Sequence, residues 1–201
     1  MTADEFVEWA VRTGFRGELV AGEAVAMSPE RYEHGRVKGA AFVALRDAIR
    51  RAGLPCQAIV DSVAVRVDAE TIYQPDVLLR CGPRLPGDTV VVPDPIILVE
   101  VLSPSTATTD AGAKLEDYFR IPSVLHYLML RPDRGTVIHH ARDAEDGIST
   151  RILRSGALVL RFARRANESL RPLTMHLDSL EMQPAAAASA PGIGAVSFRL
   201  Y

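Results

Sequence analysis

The stretch "PIILVEVLSPSTATTDAGAKLEDYF", residues 95–119, joins an apolar run to a helical pattern. Residues 96–102 form an apolar run of strand length, and a helical pattern follows from about Thr109 to Arg120. Glu100 stands inside the run. On a strand, Ile96, Leu98, Glu100 and Leu102 share one side, and Ile97, Val99 and Val101 share the other. Burying an unpaired carboxylate there is costly unless a cation, a set of donors or a proton compensates. A structural ion pair with an arginine would meet that need. A metal ion or acid–base chemistry would also meet it, and either requires further carboxylates close by.

Asp76 is the carboxylate the sequence offers. It opens the strand pattern "YQPDVLLRCG", behind a proline of the kind tolerated at a strand's first residues. Alone, it reads as an ordinary turn aspartate. Paired with Glu100 on a neighbouring strand, and with a backbone carbonyl, it makes a hard-oxygen ligand set suited to Mg²⁺ or Mn²⁺. One water kept by such an ion could serve as the nucleophile in phosphodiester hydrolysis. On the following helix Asp110, Lys114 and Tyr118 fall at i, i+4 and i+8, on one side. Lys114 can therefore lean toward the carboxylates, or pair with Asp110 or Asp117 in solvent.

At the N-terminus "TADE" has the form of a capping box with Thr2 and Glu5, and a short helix through Trp9 and Val11 should stop at Gly14. "GELVAGEAVAMSP" predicts a hairpin turning at Gly22. Val37, Ala41, Ala44, Leu45 and Ala48 predict a long helix from about Arg31 to Ala52, stopped by Gly53. "AIVDSVAVRVD" alternates after Ser62 and predicts a half-buried strand. "SVLHYLMLRPD" and "GTVIHHARD" predict a last strand pair around "RPDRG". His139 and His140 are adjacent, so a strand points them to opposite faces; they read as edge-strand histidines. The whole predicts an α/β fold, a mixed β-sheet flanked by helices, with an N-terminal helix and hairpin.

The 201 residues, 48% hydrophobic and 24% charged, fit one domain over 1–181 and an Ala/Pro/Gly-rich extension over 182–201. A formal charge of −2 gives no global positive field for nucleic acid or anionic membrane. Only Lys38 and Lys114 supply lysine. Cys56 and Cys81 make no CxxC and read as reduced thiols of a cytosolic protein. The acidic N-terminus is unlike a signal peptide, and no run approaches the ~20 apolar residues of a membrane span. A cytoplasmic location is expected.

"ELVAGEAVAMSP", His34, "QPDVLL", "ILVEVLSPST" with "DAGAKLEDY", and "HYLML" together resemble the Uma-two family of restriction endonucleases, within the PD-(D/E)XK nuclease superfamily. The resemblance is close over residues 2–141 and looser to about Glu181. It implies a restriction-endonuclease-like core in which Asp76 and Glu100 hold Mg²⁺ (or Mn²⁺). The superfamily lysine two places after the acid is Leu102 here, and the family pattern matches Lys114 as its migrated counterpart. Glu18 and His34 match auxiliary positions near the metal or a phosphate. Ala21 replaces a family acid, and "HYLMLRPD" lacks an acid and an aromatic of the family's last strands. DNA is the implied substrate, and cutting both strands calls for a two-fold dimer. A nuclease-fold module with a weak or dead site, binding nucleic acid or protein, is the competing class, and Leu102 and the charge near neutrality favour it. A metal-dependent hydrolase of small phosphorylated molecules is the third.

Overall fold

Thr2 caps the first helix as its motif requires. In this computed structural model, which describes residues 1–102, 110–162 and 170–182, the Glu5 N–H donates to Thr2 Oγ1 and the Thr2 N–H donates to the Glu5 carboxylate. Helix α1 (Ala3–Thr13) then ends at Gly14, whose φ of 71° is left-handed. Strands β1 (Gly17–Val20) and β2 (Glu23–Ala26) form the expected hairpin. Its turn residues Ala21 and Gly22 both take positive φ, 49° and 81°, the geometry that matches strand twist. With β4 (Val65–Arg66) and β5 (Ile72–Tyr73) the hairpin makes a small antiparallel sheet in the order β2-β1-β5-β4. Ala3 and Phe6 of α1 pack on Leu19 and Ile72 of that sheet.

The main sheet contains β3 (Cys56–Val60), β6 (Val77–Cys81), β7 (Pro95–Val101), β8 (His126–Arg131), β9 (Thr136–Arg142) and β10 (Ile148–Leu153), in the order β10-β9-β8-β7-β6-β3. Strands β7 and β8 run parallel and the other neighbours antiparallel. A parallel pair needs a crossover, and helix α3 (Asp110–Arg120) lies between the two strands in sequence. Every residue of β7 is buried, which is why its sequence reads as one apolar run.

One face of this sheet is covered by helix α2 (Tyr32–Ala52). Its stripe of Val37, Ala41, Leu45 and Ala48 joins Leu79, Ile97, Val99 and Leu128 in a core that a ribbon, β11 (Ala157–Phe162) and β12 (Arg171–His176), extends. The other face packs Leu78, Leu98, Tyr127 and Met129 against Tyr118 and Phe119 of α3. Each such side chain contributes about 1.5–3 kcal/mol on burial. The result is the expected mixed α/β architecture. Among the described residues no helix is long and apolar enough to cross a membrane.

Several expectations need correction. The single strand expected over "AIVDSVAVRVD" is two, because Asp61 takes a left-handed φ of 46° and turns the chain from β3 toward the small sheet. "YQPDVLLRCG" is likewise split: β5 belongs to the small sheet, β6 to the large one, and Asp76 stands at the junction. Ile96 packs in the α2-side core rather than beside Leu98, next to a register shift between Leu79 and Arg80. Strands β10 to β12 lie beyond the last expected pair. The histidines do point apart, His139 to His126 and His140 to Thr150, but β9 is an interior strand, not an edge. Cys56 and Cys81 are not free thiols: the β3–β6 register sets them opposite each other, and they are joined as a disulfide. A separation of 25 residues gives no sign of that pairing in the sequence. Residues 183–201 of the C-terminal extension lie outside the described residues.

Candidate active site

Asp76 and Glu100 meet at one end of the β6–β7 pair. Val77 is registered with Val99, so the next positions along the two strands are Asp76 and Glu100. The Val101 N–H donates to Asp76 Oδ2 at 2.7 Å, which ties the aspartate to the backbone beside Glu100. Both residues are buried, with 5% and 9% of their surface exposed.

The environment of Asp76 is built by α2. His34, in the first turn, places Nε2 3.1 Å from both Asp76 oxygens, and Lys38, one turn on, places Nζ 2.9 Å from Oδ1. Lys38 also pairs with Glu30, just before the helix, and with Asp61 at 3.3 Å. Burial pushes the Asp76 carboxyl toward neutrality, yet His34, the Val101 N–H and Lys38 outweigh it, and its pKa lies below the ordinary aspartate value. Burial likewise opposes charge on His34, but the hydrogen bond and charge of Asp76 leave its pKa raised.

The environment of Glu100 is built by α3 and β1. Lys114 Nζ lies 3.0 Å from Glu100 Oε1 and 2.9 Å from Glu18 Oε1, and the Tyr118 hydroxyl donates to Glu100 Oε1 at 2.6 Å. Glu18 also accepts the Gln74 N–H at 2.9 Å, fixing β1 to the segment that delivers Asp76. Tyr73 donates to Asp117 at 2.6 Å, and its ring lies 5.1 Å from Lys114 Nζ. Burial raises the Glu100 carboxyl; Lys114 opposes this, the negative charges of Asp76 and Glu18 reinforce it, and the pKa is pushed up to about 7. Lys114 is held above its ordinary value: desolvation is outweighed by Glu100 and Glu18.

All five sequence-predicted residues, Glu18, His34, Asp76, Glu100 and Lys114, are therefore in two adjoining groups that touch where Asp76 meets Glu100. The partner of Glu100 is a lysine and a tyrosine rather than an arginine. Among the described contacts Lys114 does not pair with Asp117, which is bonded to Tyr73 and Arg120 instead. Lys38, Glu30, Asp61 and Tyr73 were not anticipated. The stripe Ala41–Leu45 of α2, continued one turn toward the N-terminus, reaches Lys38 and then His34, which was the available signal.

Around this junction five acids (Glu18, Glu30, Asp61, Asp76 and Glu100) face two lysines. That excess of acids, of which Asp76 and Glu100 are buried, together with a glutamate pushed up to about 7, fits a divalent cation held by hard oxygens. Ligand atoms of Glu30, His34 and Asp76 also lie within 4.8 Å of one another, a nitrogen-and-oxygen set that could hold a metal ion.

Comparison with known proteins bears on this arrangement. The profile of the Uma2 family, described as "Putative restriction endonuclease", matches residues 3–162. Uncharacterized protein slr1290 of Synechocystis sp. (strain ATCC 27184 / PCC 6803 / Kazusa) is 25% identical over 148 residues, covering 73% of this chain and 77% of its own. The crystal structure of "a putative nuclease belonging to DUF820" from Anabaena variabilis ATCC 29413 has a TM-score of 0.63 and 14% identity, over 90% of this chain and 97% of that one. At that identity the likeness is one of fold.

Proposed function

We propose that this chain, which belongs to the Uma2 family, is a Mg²⁺- or Mn²⁺-dependent endonuclease that hydrolyses phosphodiester bonds in DNA. The observation that carries this is the junction itself: Asp76 and Glu100 adjacent across β6–β7, with the Lys114 ammonium 3.0 Å from Glu100. Asp76 and Glu100 would hold the ion, which when bound would polarise the scissile phosphate and acidify a water.

The chain's own residues do the rest. Lys114, charged throughout the neutral range, orients groups at the junction and stabilises the negative charge that develops on phosphate oxygens. It does not abstract a proton, since its two carboxylate partners favour its charged form. Tyr118 fixes the rotamer of Glu100, and Glu18 fixes Lys114. His34 holds Asp76 from the α2 side. Cleavage of both strands would bring two copies together on a two-fold axis.

Leu102, at the position of the superfamily lysine, supports a second reading, a nuclease-fold module that binds DNA or protein without cutting. Plasmid nicking with Mg²⁺ or Mn²⁺ decides between them. Wild type should nick, and Asp76→Asn and Lys114→Ala should not. Wild-type-level nicking by Lys114→Ala rejects the role given to Lys114. No nicking by wild type on any DNA moves the assignment to the binding module.

A further inference from the structure

Lys38 is one of two lysines in the chain and is 4% exposed. A buried ammonium is costly unless it is paired. Here it is paired three times, by carboxylates from three places in the chain: Glu30 before α2, Asp61 after β3, and Asp76 before β6. Burial opposes its charge, but Glu30 and Asp76 outweigh burial and keep it an ammonium.

Asp76 is correspondingly full. Oδ2 accepts the Val101 N–H, Oδ1 accepts Lys38 Nζ, and His34 Nε2 lies 3.1 Å from both oxygens. An ion that takes Asp76 must displace one of these. The Val101 N–H belongs to strand β7. His34 can remain beside an ion, because an imidazole nitrogen can act as donor or as metal ligand. An ammonium has three donors and no acceptor, so it can only leave. Glu30 and Asp61, with side chains 29% and 33% exposed, stand ready to retain it on the solvent side.

We propose that Lys38 is the resident counter-ion of the site: its ammonium occupies Asp76 Oδ1 in the ion-free protein, competes with a divalent ion for that oxygen, and passes to Glu30 and Asp61 when the ion binds. This rests on the metal site proposed above.

Calorimetry and thermal melting with Mn²⁺ test it, on wild type, Lys38→Met, Lys38→Gln, Asp76→Asn and Arg16→Gln. Arg16 is an exposed partner of Asp61 at 3.3 Å and controls for loss of a nearby positive charge. Both Lys38 variants should melt lower without ion. Each should bind Mn²⁺ at least about tenfold more tightly than wild type and gain more melting temperature from it, while Arg16→Gln changes little. A lysine that merely supports the fold would give equal or weaker Mn²⁺ binding in the variants, and that result overturns the proposal. An equal gain in Arg16→Gln overturns it too, because the effect would then be one of general charge. If neither Lys38 variant folds, the wild-type Lys38 side-chain ¹⁵N resonance must shift on Mg²⁺ titration, and an unmoved resonance overturns the proposal. Loss of Mn²⁺ binding in Asp76→Asn, with unchanged binding in the Lys38 variants, removes the competition but leaves the metal site. Equal binding by wild type and Asp76→Asn removes both.

Discussion

Tyr118 and Glu100 are joined by a 2.6 Å hydrogen bond between two buried side chains, one from α3 and one from β7, a central strand of the main sheet. The phenol is one of two groups that compensate Glu100 Oε1, the other being Lys114. Tyr118 thus gives the carboxylate a donor inside the core.

Tyr118→Phe should therefore destabilise the ion-free protein by about 1–3 kcal/mol, the cost of leaving a buried charged acceptor short of a donor. It should also raise the Glu100 pKa further, since this hydrogen bond lowers it. Denaturant unfolding and a carboxyl-selective NMR titration read the two effects. A variant as stable as wild type would mean the bond carries no weight.

Removing the Lys114 ammonium leaves Glu18 and Glu100 without their shared cation. Lys114→Ala should cost about 3 kcal/mol at pH 8, because the charge left behind is buried. The loss should shrink near pH 5, where Glu100 keeps its proton. Lys114→Arg should restore little, since a planar guanidinium does not replace a compact ammonium. An equal loss at both pH values would show that Glu100 is not the partner that matters.

Glu100 and the pair His126–His139 bend the stability curve in opposite directions. Glu100 is raised from 4.5 to about 7, so between those values the folded state binds more protons than the unfolded. Stability conferred by the protonated form is present below about 4.5 and is lost as pH rises through 7. His126 and His139 are lowered to about 4 by burial, so their contribution is present above about 6.5 and is lost as pH falls toward 4. The wild-type curve sums the two. Glu100→Gln should remove the decline toward neutral pH, and His139→Gln should weaken the acid limb. Parallel curves for wild type and both variants would contradict these assignments.

The Cys56–Cys81 bond closes a 25-residue separation between edge strand β3 and β6. Reduction should lower stability by about 2–4 kcal/mol. Thiol labelling of the denatured, unreduced protein should find no free cysteine; two labelled thiols per chain would restore the reading the sequence gives by itself.

Much of this was legible in sequence because one period dominates each element. The apolar run of β7, the capping box of α1 and the Val37–Ala48 stripe each point one way, and the structure follows them. Residues 56–81 were less legible. Asp61 and the segment Gln74 to Asp76 pass the chain between two sheets, and a strand pattern does not say which sheet receives it. The same crossing hid the disulfide, which depends on register between β3 and β6. A carboxylate in an apolar run is conspicuous, so Glu100 leads to Asp76 and Lys114 as candidate neighbours, and the structure brings the three together. Lys38 was not, because a lysine on a helix reads as solvated until the packing of Glu30, Asp61 and Asp76 around it is known.

In the proposed mechanism Asp76 and Glu100 together hold a divalent ion. Calorimetric titration of Mn²⁺ into wild type, Asp76→Asn and Glu100→Gln tests this, because each variant removes one negative charge and keeps the side chain's shape. One Mn²⁺ should bind per wild-type chain, binding should be strongly weakened in each variant, and all three proteins should be folded by circular dichroism. Unchanged Mn²⁺ affinity in both variants would contradict it.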